Sequence, residues 1–262
     1  MKVLDTPIRL AASRTPRELL LIGHGAACVA GAIWLGDHSW NIYAYAAVTA
    51  LFAGRFFAGR VLYLSMCIAA LALQLAHGLL PGVTLAMKAT VLLEILGVSL
   101  LLCGPDLVQR FDVDGHGLGP FGNFWRDLSV AQRRHVAWGL HLVGTTGALL
   151  HHMWFNLTAS HQPVPTWLYV GVAACTGVGL LYLWGRAIAA PAAVVVGGLV
   201  AWRLAPYLDD AWRQLHGGWS AHAVPREVWY SAHYTLLACV AAAATAAIAV
   251  PWTVRWLRLA AR

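Results

Sequence analysis

A chain of 262 residues with 60% hydrophobic and only 11% charged residues is far more apolar than a soluble domain, in which about a quarter of residues are charged. This composition excludes an ordinary soluble enzyme and predicts an all-α, polytopic integral membrane protein that forms a single transmembrane domain over residues 1–262. The formal net charge of +7 requires no nucleic acid as a partner, because a basic face on an anionic membrane surface explains it.

Eight apolar runs are long enough, or nearly so, to cross a hydrocarbon core about 30 Å thick, which takes about 20 helical residues. They lie near residues 18–36, 40–57, 61–80, 83–103, 135–156, 166–185, 188–206 and 232–254. The second run is the weakest, because Arg55 interrupts it. The first run leads into further spans instead of a small-residue cleavage site, so we expect it to be retained as a span.

The basic residues between the runs indicate the orientation, because Lys and Arg near helix ends stay on the cytoplasmic side. With the N-terminus inside, only Arg203, Arg213 and Arg226 fall on the outer side. The inner segments carry Lys2, Arg9, Arg14, Arg17, Arg55, Arg60, Arg110, Arg126, Arg133, Arg134, Arg186, Arg255, Arg258 and Arg262. This asymmetry predicts about eight spans with both termini in the cytoplasm, as in a multi-pass protein of a bacterial-type inner membrane.

Two connections are longer than the rest. The inner one, residues 105–134, is rich in Gly and charge, and its second part has the pattern of an amphipathic helix on the membrane surface. The outer one, residues 207–231, carries Trp212, Trp219, Trp229 and Tyr230. That density of aromatic residues is typical of an interfacial belt and favours a short helix lying flat on the outer surface.

The histidines are unevenly distributed in predicted depth. Eight fall at the outer side: His38, His161, His216 and His222 in connections, and His77, His151, His152 and His233 near the ends of spans. His24 and His141 lie in the inner third of their spans, His135 at the inner boundary and His116 in the inner connection. A buried imidazole needs water, a hydrogen bond or a ligand, so the outer group predicts either solvated interfacial side chains or a metal site.

The fifth run places two of these histidines on one helical face. His141 and His152 are eleven residues apart, which is about 20° around a helix and ~16 Å along it. The small residues Gly144, Thr145 and Ala148 lie between them on that face. We therefore expect His152, rather than His151, to face the bundle interior and to ligate a metal together with His77 or His233.

A helix with an imidazole near each membrane face and small residues between them resembles a membrane-embedded b-type cytochrome. The segment "HLVGTTGALLHH", in which nine residues separate His141 from His151, is similar to the first histidine helix of the cytochrome b subunit of membrane-bound nitrate reductase. The resemblance covers one helix, and no other span carries two histidines as that family's second helix does. It implies bis-histidine haem b, electron exchange with quinone and a place among other subunits of a membrane complex.

A second interpretation uses only the outer histidines as ligands. Neutral imidazole suits copper, iron and zinc, and loop histidines His216 and His222 could join those at the span ends. Asp209 and Asp210 could add carboxylates. Such a site would fit a copper-handling factor or a subunit of a membrane oxygenase.

A third interpretation is a small-solute or proton-coupled transporter, because Lys88 and Glu94 lie inside the fourth run. They are six residues apart and so fall on opposite helical faces, which argues against a mutual ion pair. Glu94, near mid-membrane, would be structural or would relay protons. The sequence contains no Walker, G-x-S-x-G or H-E-x-x-H motif, so it identifies no catalytic residue and leaves open whether the protein is an enzyme.

Overall fold

The computed structural model describes residues 14–34, 40–78, 85–115, 128–159, 161, 163–216 and 226–260. Within these ranges the chain is helical apart from short turns and extended connections. The helices are α1 (Pro16–Trp34), α2 (Trp40–Ala53), α3 (Phe57–Gly78), α4 (Leu85–Leu102), α5 (Pro105–Leu107), α6 (Val130–Ala159), α7 (Thr166–Leu183), α8 (Ala189–Leu204), α9 (Leu208–His216) and α10 (Arg226–Ala260). A π-helical segment (Val108–Val113) continues α5, and a 3₁₀ turn (Ala205–Tyr207) joins α8 to α9.

Four helical segments of the described chain are long and apolar enough to cross a membrane: Phe57–Gln74, Thr166–Leu183, Ala189–Arg213 and Ala232–Arg258. A fifth results if Lys88–Leu102 and Pro105–Val113, bent by 54° at their junction, form one span. These helices confirm the prediction of an all-α membrane protein. Each of the eight predicted apolar runs overlaps one helix, although α2 is short and α6 carries several polar residues.

The interruption predicted at Arg55 is the turn between α2 and α3. Arg55 has a φ of 54°, a left-handed conformation that no residue inside a right-handed helix adopts. Gly59 then lets α3 approach the end of α2, because a Cβ there would lie 2.5 Å from the backbone nitrogen of Phe52. The second apolar run therefore ends as a helix at Ala53, four residues before its predicted end.

The chain forms two compact units, residues 1–63 with 97–126 and residues 64–96 with 127–262. In the first unit, aromatic rings fill the core: Phe52 stacks on Phe111 with ring centroids 4.4 Å apart and meets Tyr63 edge-on at 5.7 Å. Aliphatic side chains complete it, and the fully buried members are Leu21, Phe52, Phe57, Leu102, Leu107 and Phe111. This packing fixes the π-helical segment against the turn between α2 and α3.

In the second unit, α6, α7, α8 and α10 pack as a bundle, with α10 against both α6 and α8. Small residues allow the closest approach: a Cβ on Gly197 of α8 would lie 2.6 Å from the carbonyl oxygen of Ala242 on α10. Hydroxyls link α6 to α10, because Thr146 Oγ1 lies 3.4 Å from Thr245 Oγ1. The helix with the paired histidines, α6, packs on α7 and α10 in this bundle.

The two long connections are partly described. The amphipathic part predicted in the inner connection lies mostly outside the described residues, whereas its first part is α5 with the π-helical segment. The outer connection begins with α9, a nine-residue helix that packs on α10 and leaves Trp212 exposed. A short helix was predicted there.

Candidate functional site

His141 lies inside the second unit, on the α6 face that meets α3. It is 5% exposed, and its Nδ1 lies 2.8 Å from the hydroxyl oxygen of Ser65. Its carbonyl oxygen accepts a hydrogen bond from Thr145, one helical turn later, at 2.7 Å. The serine hydroxyl therefore satisfies one imidazole nitrogen and orients the ring in an otherwise apolar helix.

His24 has a matching arrangement within the first unit. Its Nδ1 lies 2.8 Å from the hydroxyl oxygen of Tyr63, which in turn donates to the carbonyl oxygen of Leu21 at 3.2 Å. With the tyrosine proton on that carbonyl, Nδ1 would donate the imidazole proton to the hydroxyl oxygen and Nε2 would carry the lone pair. Cys28 Sγ, one turn along α1, lies 3.8 Å from Nε2.

The adjacent histidines of α6 point in different directions. His152 stacks on Tyr234 of α10, with ring centroids 6.0 Å apart and planes 13° apart, and Tyr234 is completely buried. His151 meets Trp154 of its own helix edge-on at 5.2 Å. His152 thus contacts the interior of the bundle at the end where α6 meets the start of α10.

The remaining predicted site residues belong to several helices. His233 is buried next to Tyr234 in the chain, Glu94 is exposed on α4 and Lys88 is half-buried on the same helix. His222 lies outside the described residues, and His77 and His216 lie on α3 and α9 with side chains that the structure does not describe. Their ligand roles stay predictions.

The described side chains of the second unit limit the kind of metal site that they can build. No three groups of His, Cys, Asp or Glu among them bring their ligand atoms within 4.8 Å of one another. A zinc or copper site takes three or four protein ligands. Haem iron needs fewer protein ligands, because it takes only two axial ones.

The first unit contains a buried ion cluster that the sequence analysis missed. Glu18 is 0% exposed, and its carboxylate accepts a hydrogen bond from Arg55 at 3.0 Å. Arg110 and Arg14 approach the same carboxylate at 3.6 and 3.8 Å. We name Glu18 with Arg14, Arg55 and Arg110 the Glu18 cluster. It joins α1 to the turn after α2 and to the π-helical segment.

A second buried pair ties α3 to the π-helical segment. Arg60 Nε donates to Asp112 Oδ1 at 2.8 Å, and its Nη2 donates to the other carboxylate oxygen. Its remaining terminal nitrogen donates to the carbonyl oxygen of Leu102 at 3.1 Å, at the end of α4. Glu18, an acidic residue at the start of an apolar run, was a signal for the first of these groups, whereas the Arg60–Asp112 pair depends on contacts between distant segments.

Comparison of the chain with protein-family models, with curated proteins and with solved structures finds no match.

Proposed function

We propose that the protein is an integral membrane redox protein in which histidines of apolar helices hold haem b. It exchanges electrons with quinone, as a subunit of a complex in a bacterial-type inner membrane. The observation that carries this proposal is the buried histidine whose Nδ1 is held by a hydroxyl, as in the Ser65–His141 contact. The Tyr63–His24 contact repeats it in the first unit.

The donor chemistry of these histidines suits haem iron. A ligating imidazole uses one ring nitrogen for the metal and donates its other N–H to a protein oxygen, which fixes the tautomer and the ring orientation. Tyr63 and Ser65 are positioned to accept that hydrogen bond from His24 and His141. Bound haem supplies one-electron transfer between ferrous and ferric iron.

The second proposed ligand on α6 is His152, acting with His77 or His233. Its contact with Tyr234 turns it toward the bundle, and Gly144, Thr145 and Ala148 lie between it and His141 on the helix. His151 would support it from the neighbouring position, since the two rings meet edge-on at 5.9 Å.

The proposal includes the arrangement of eight spans with both termini in the cytoplasm. The one-sided distribution of Lys and Arg supports it, as does the overlap of each predicted run with a helix. Fusions of a reporter that is active only outside the cytoplasm are expected to be silent at the C-terminus and active within residues 207–231. A silent fusion in that outer connection, or an active one at the C-terminus, would overturn the arrangement.

The test of haem binding is a visible absorption spectrum with metal analysis on the same purified sample. Wild-type protein should show a Soret band, and His141→Ala should remove most of it, because an axial ligand is lost. Ser65→Ala should keep the band but change the reduction potential, since the hydrogen bond to the ligand tunes its basicity.

The matched control is His161→Asn. His161 is exposed and has a φ of 53°, a conformation that Asn tolerates, so the absorption spectrum should not change. Wild-type protein with no haem absorbance would contradict the haem proposal. If the same sample also lacked stoichiometric copper, iron and zinc, the histidines would have no metal-binding function.

A further inference from the structure

One end of the second unit buries polar atoms that nothing in the described chain satisfies. His135 on α6 is 8% exposed, and neither of its ring nitrogens has a hydrogen-bond partner among the described residues. Tyr182 on α7 is 2% exposed, and its hydroxyl also lacks one there. The two ring centroids are 5.7 Å apart, with the planes at 68°.

The surroundings of this pair are aromatic and apolar. The His135 ring stacks on Trp252 of α10 at 4.6 Å, with the planes 23° apart. Arg255 lies over the same indole at 5.7 Å from its centroid. Three helices of the bundle therefore meet at a small polar centre enclosed by rings, which we name the His135 centre.

Leaving these atoms unsatisfied is costly. Each buried donor or acceptor without a partner costs about 1 to 3 kcal/mol, and this centre concentrates three such atoms on two neighbouring side chains. A bundle that retains such groups gains from a molecule that hydrogen-bonds to them. That molecule must be neutral and soluble in the apolar phase, since a charged one would lose its hydration among aromatic rings.

The hydrogen-bond donors and acceptors of His135 and Tyr182 indicate which functional groups the bound molecule carries. A neutral imidazole offers one N–H donor and one unprotonated acceptor, and a phenol hydroxyl offers a donor and an acceptor. A quinone carbonyl accepts from these donors, and the hydroxyl of the reduced quinol donates to the unprotonated imidazole nitrogen. The same pair of side chains can thus hydrogen-bond both forms of such a carrier.

We propose that the His135 centre binds the head group of a quinone or quinol, with His135 and Tyr182 as its hydrogen-bonding residues. The inference deepens the proposed redox function and rests on it for the choice of a redox carrier. It assigns no role to the ligand histidines His141 and His152, and the binding itself requires no haem.

The test is titration of the full-length protein in lipid nanodiscs with decylubiquinone, a short-chain quinone, followed by quenching of tryptophan fluorescence. Tyr182→Phe removes only a hydroxyl, and His135→Phe keeps an aromatic ring while removing both nitrogens. Each substitution is expected to weaken binding about tenfold, the effect of about 1.4 kcal/mol from one lost hydrogen bond. Tyr169→Phe, an exposed tyrosine near the opposite end of α7, should bind as the wild type does.

Equal quinone affinity of wild type, Tyr182→Phe and His135→Phe, with folding verified by thermal unfolding, would overturn the inference. A gain in thermal stability without any loss of affinity would show that the centre holds only water or stays unsatisfied, and it would overturn the inference equally. Quinone binding that depends on Tyr182 in a protein without haem would retain the inference and contradict the proposed function. Bound haem without quinone binding that depends on Tyr182 would retain the haem proposal and overturn the inference.

Discussion

Asp112→Asn is expected to destabilise the protein by about 3 to 5 kcal/mol, because it removes the charge that balances a buried Arg60. The side chains of Arg60 and Asp112 are only 8% and 7% exposed. The asparagine oxygen can still accept one hydrogen bond from Arg60, so the lost stability reflects mainly the missing negative charge. Thermal and denaturant unfolding of the purified protein in detergent would measure it.

The control is Asp106→Asn, six residues before Asp112 on the same helical segment. Asp106 pairs with Arg17 at 2.6 Å, but these side chains are 43% and 36% exposed. An exposed pair contributes about 0 to 1 kcal/mol, so the control should lose little. Equal losses in the two variants would mean that burial of the Arg60 pair does not determine its contribution. Replacing both Arg60 and Asp112 by apolar residues should restore part of the stability, since no buried charge is then left alone.

The helices were predictable because apolar length is a local property of the sequence. Each predicted run overlaps a helix, and Arg55 correctly indicated where the second run stops. The bend after α4 was not predictable in the same way. It depends on Asp112, on the Leu102 carbonyl and on an arginine from another helix, so the information lies in contacts between distant parts of the chain.

The candidate site was predictable only in part, for the same reason. Helical spacing suggested that His152 and His151 point in different directions, and their contacts with Tyr234 and Trp154 agree with that spacing. Spacing carries no information on the hydroxyl groups that hold the histidines. Ser65 and Tyr63 are ordinary residues of an apolar run, and only packing against α6 and α1 gives them a role.

The charged residues of the apolar runs show most clearly what the sequence alone does not predict. Glu94 was predicted to have a structural or proton-relay role because it lies in the middle of an apolar run. Its side chain is exposed on α4. Glu18 lies at the start of the first run, a position where acidic residues are common and usually in contact with water. It is instead completely buried, because arginines from the turn after α2 and from the π-helical segment meet it.

Glu18→Gln is therefore expected to cost on the order of 3 kcal/mol, measured by the same unfolding experiments. Glutamine keeps the shape of the side chain and removes the one negative charge shared by Arg14, Arg55 and Arg110. Burial, followed by the nearby charge of Arg55, lowers the pKa of Arg14, and Glu18 opposes both effects. Without Glu18 the three guanidinium groups repel one another, most strongly at the poorly exposed Arg14.

This electrostatic cause can be separated from a loss of packing by a second substitution. Adding Arg110→Gln to Glu18→Gln removes one of the repelling charges at the most exposed arginine of the Glu18 cluster, and it should recover part of the lost stability. Asp209→Asn, at an exposed ion pair on α9, should have little effect alone because water already screens that pair. A double variant that is less stable than Glu18→Gln would show that Arg110 stabilises the unit through its own contacts. In that case the repulsion account of the Glu18 cluster would be wrong.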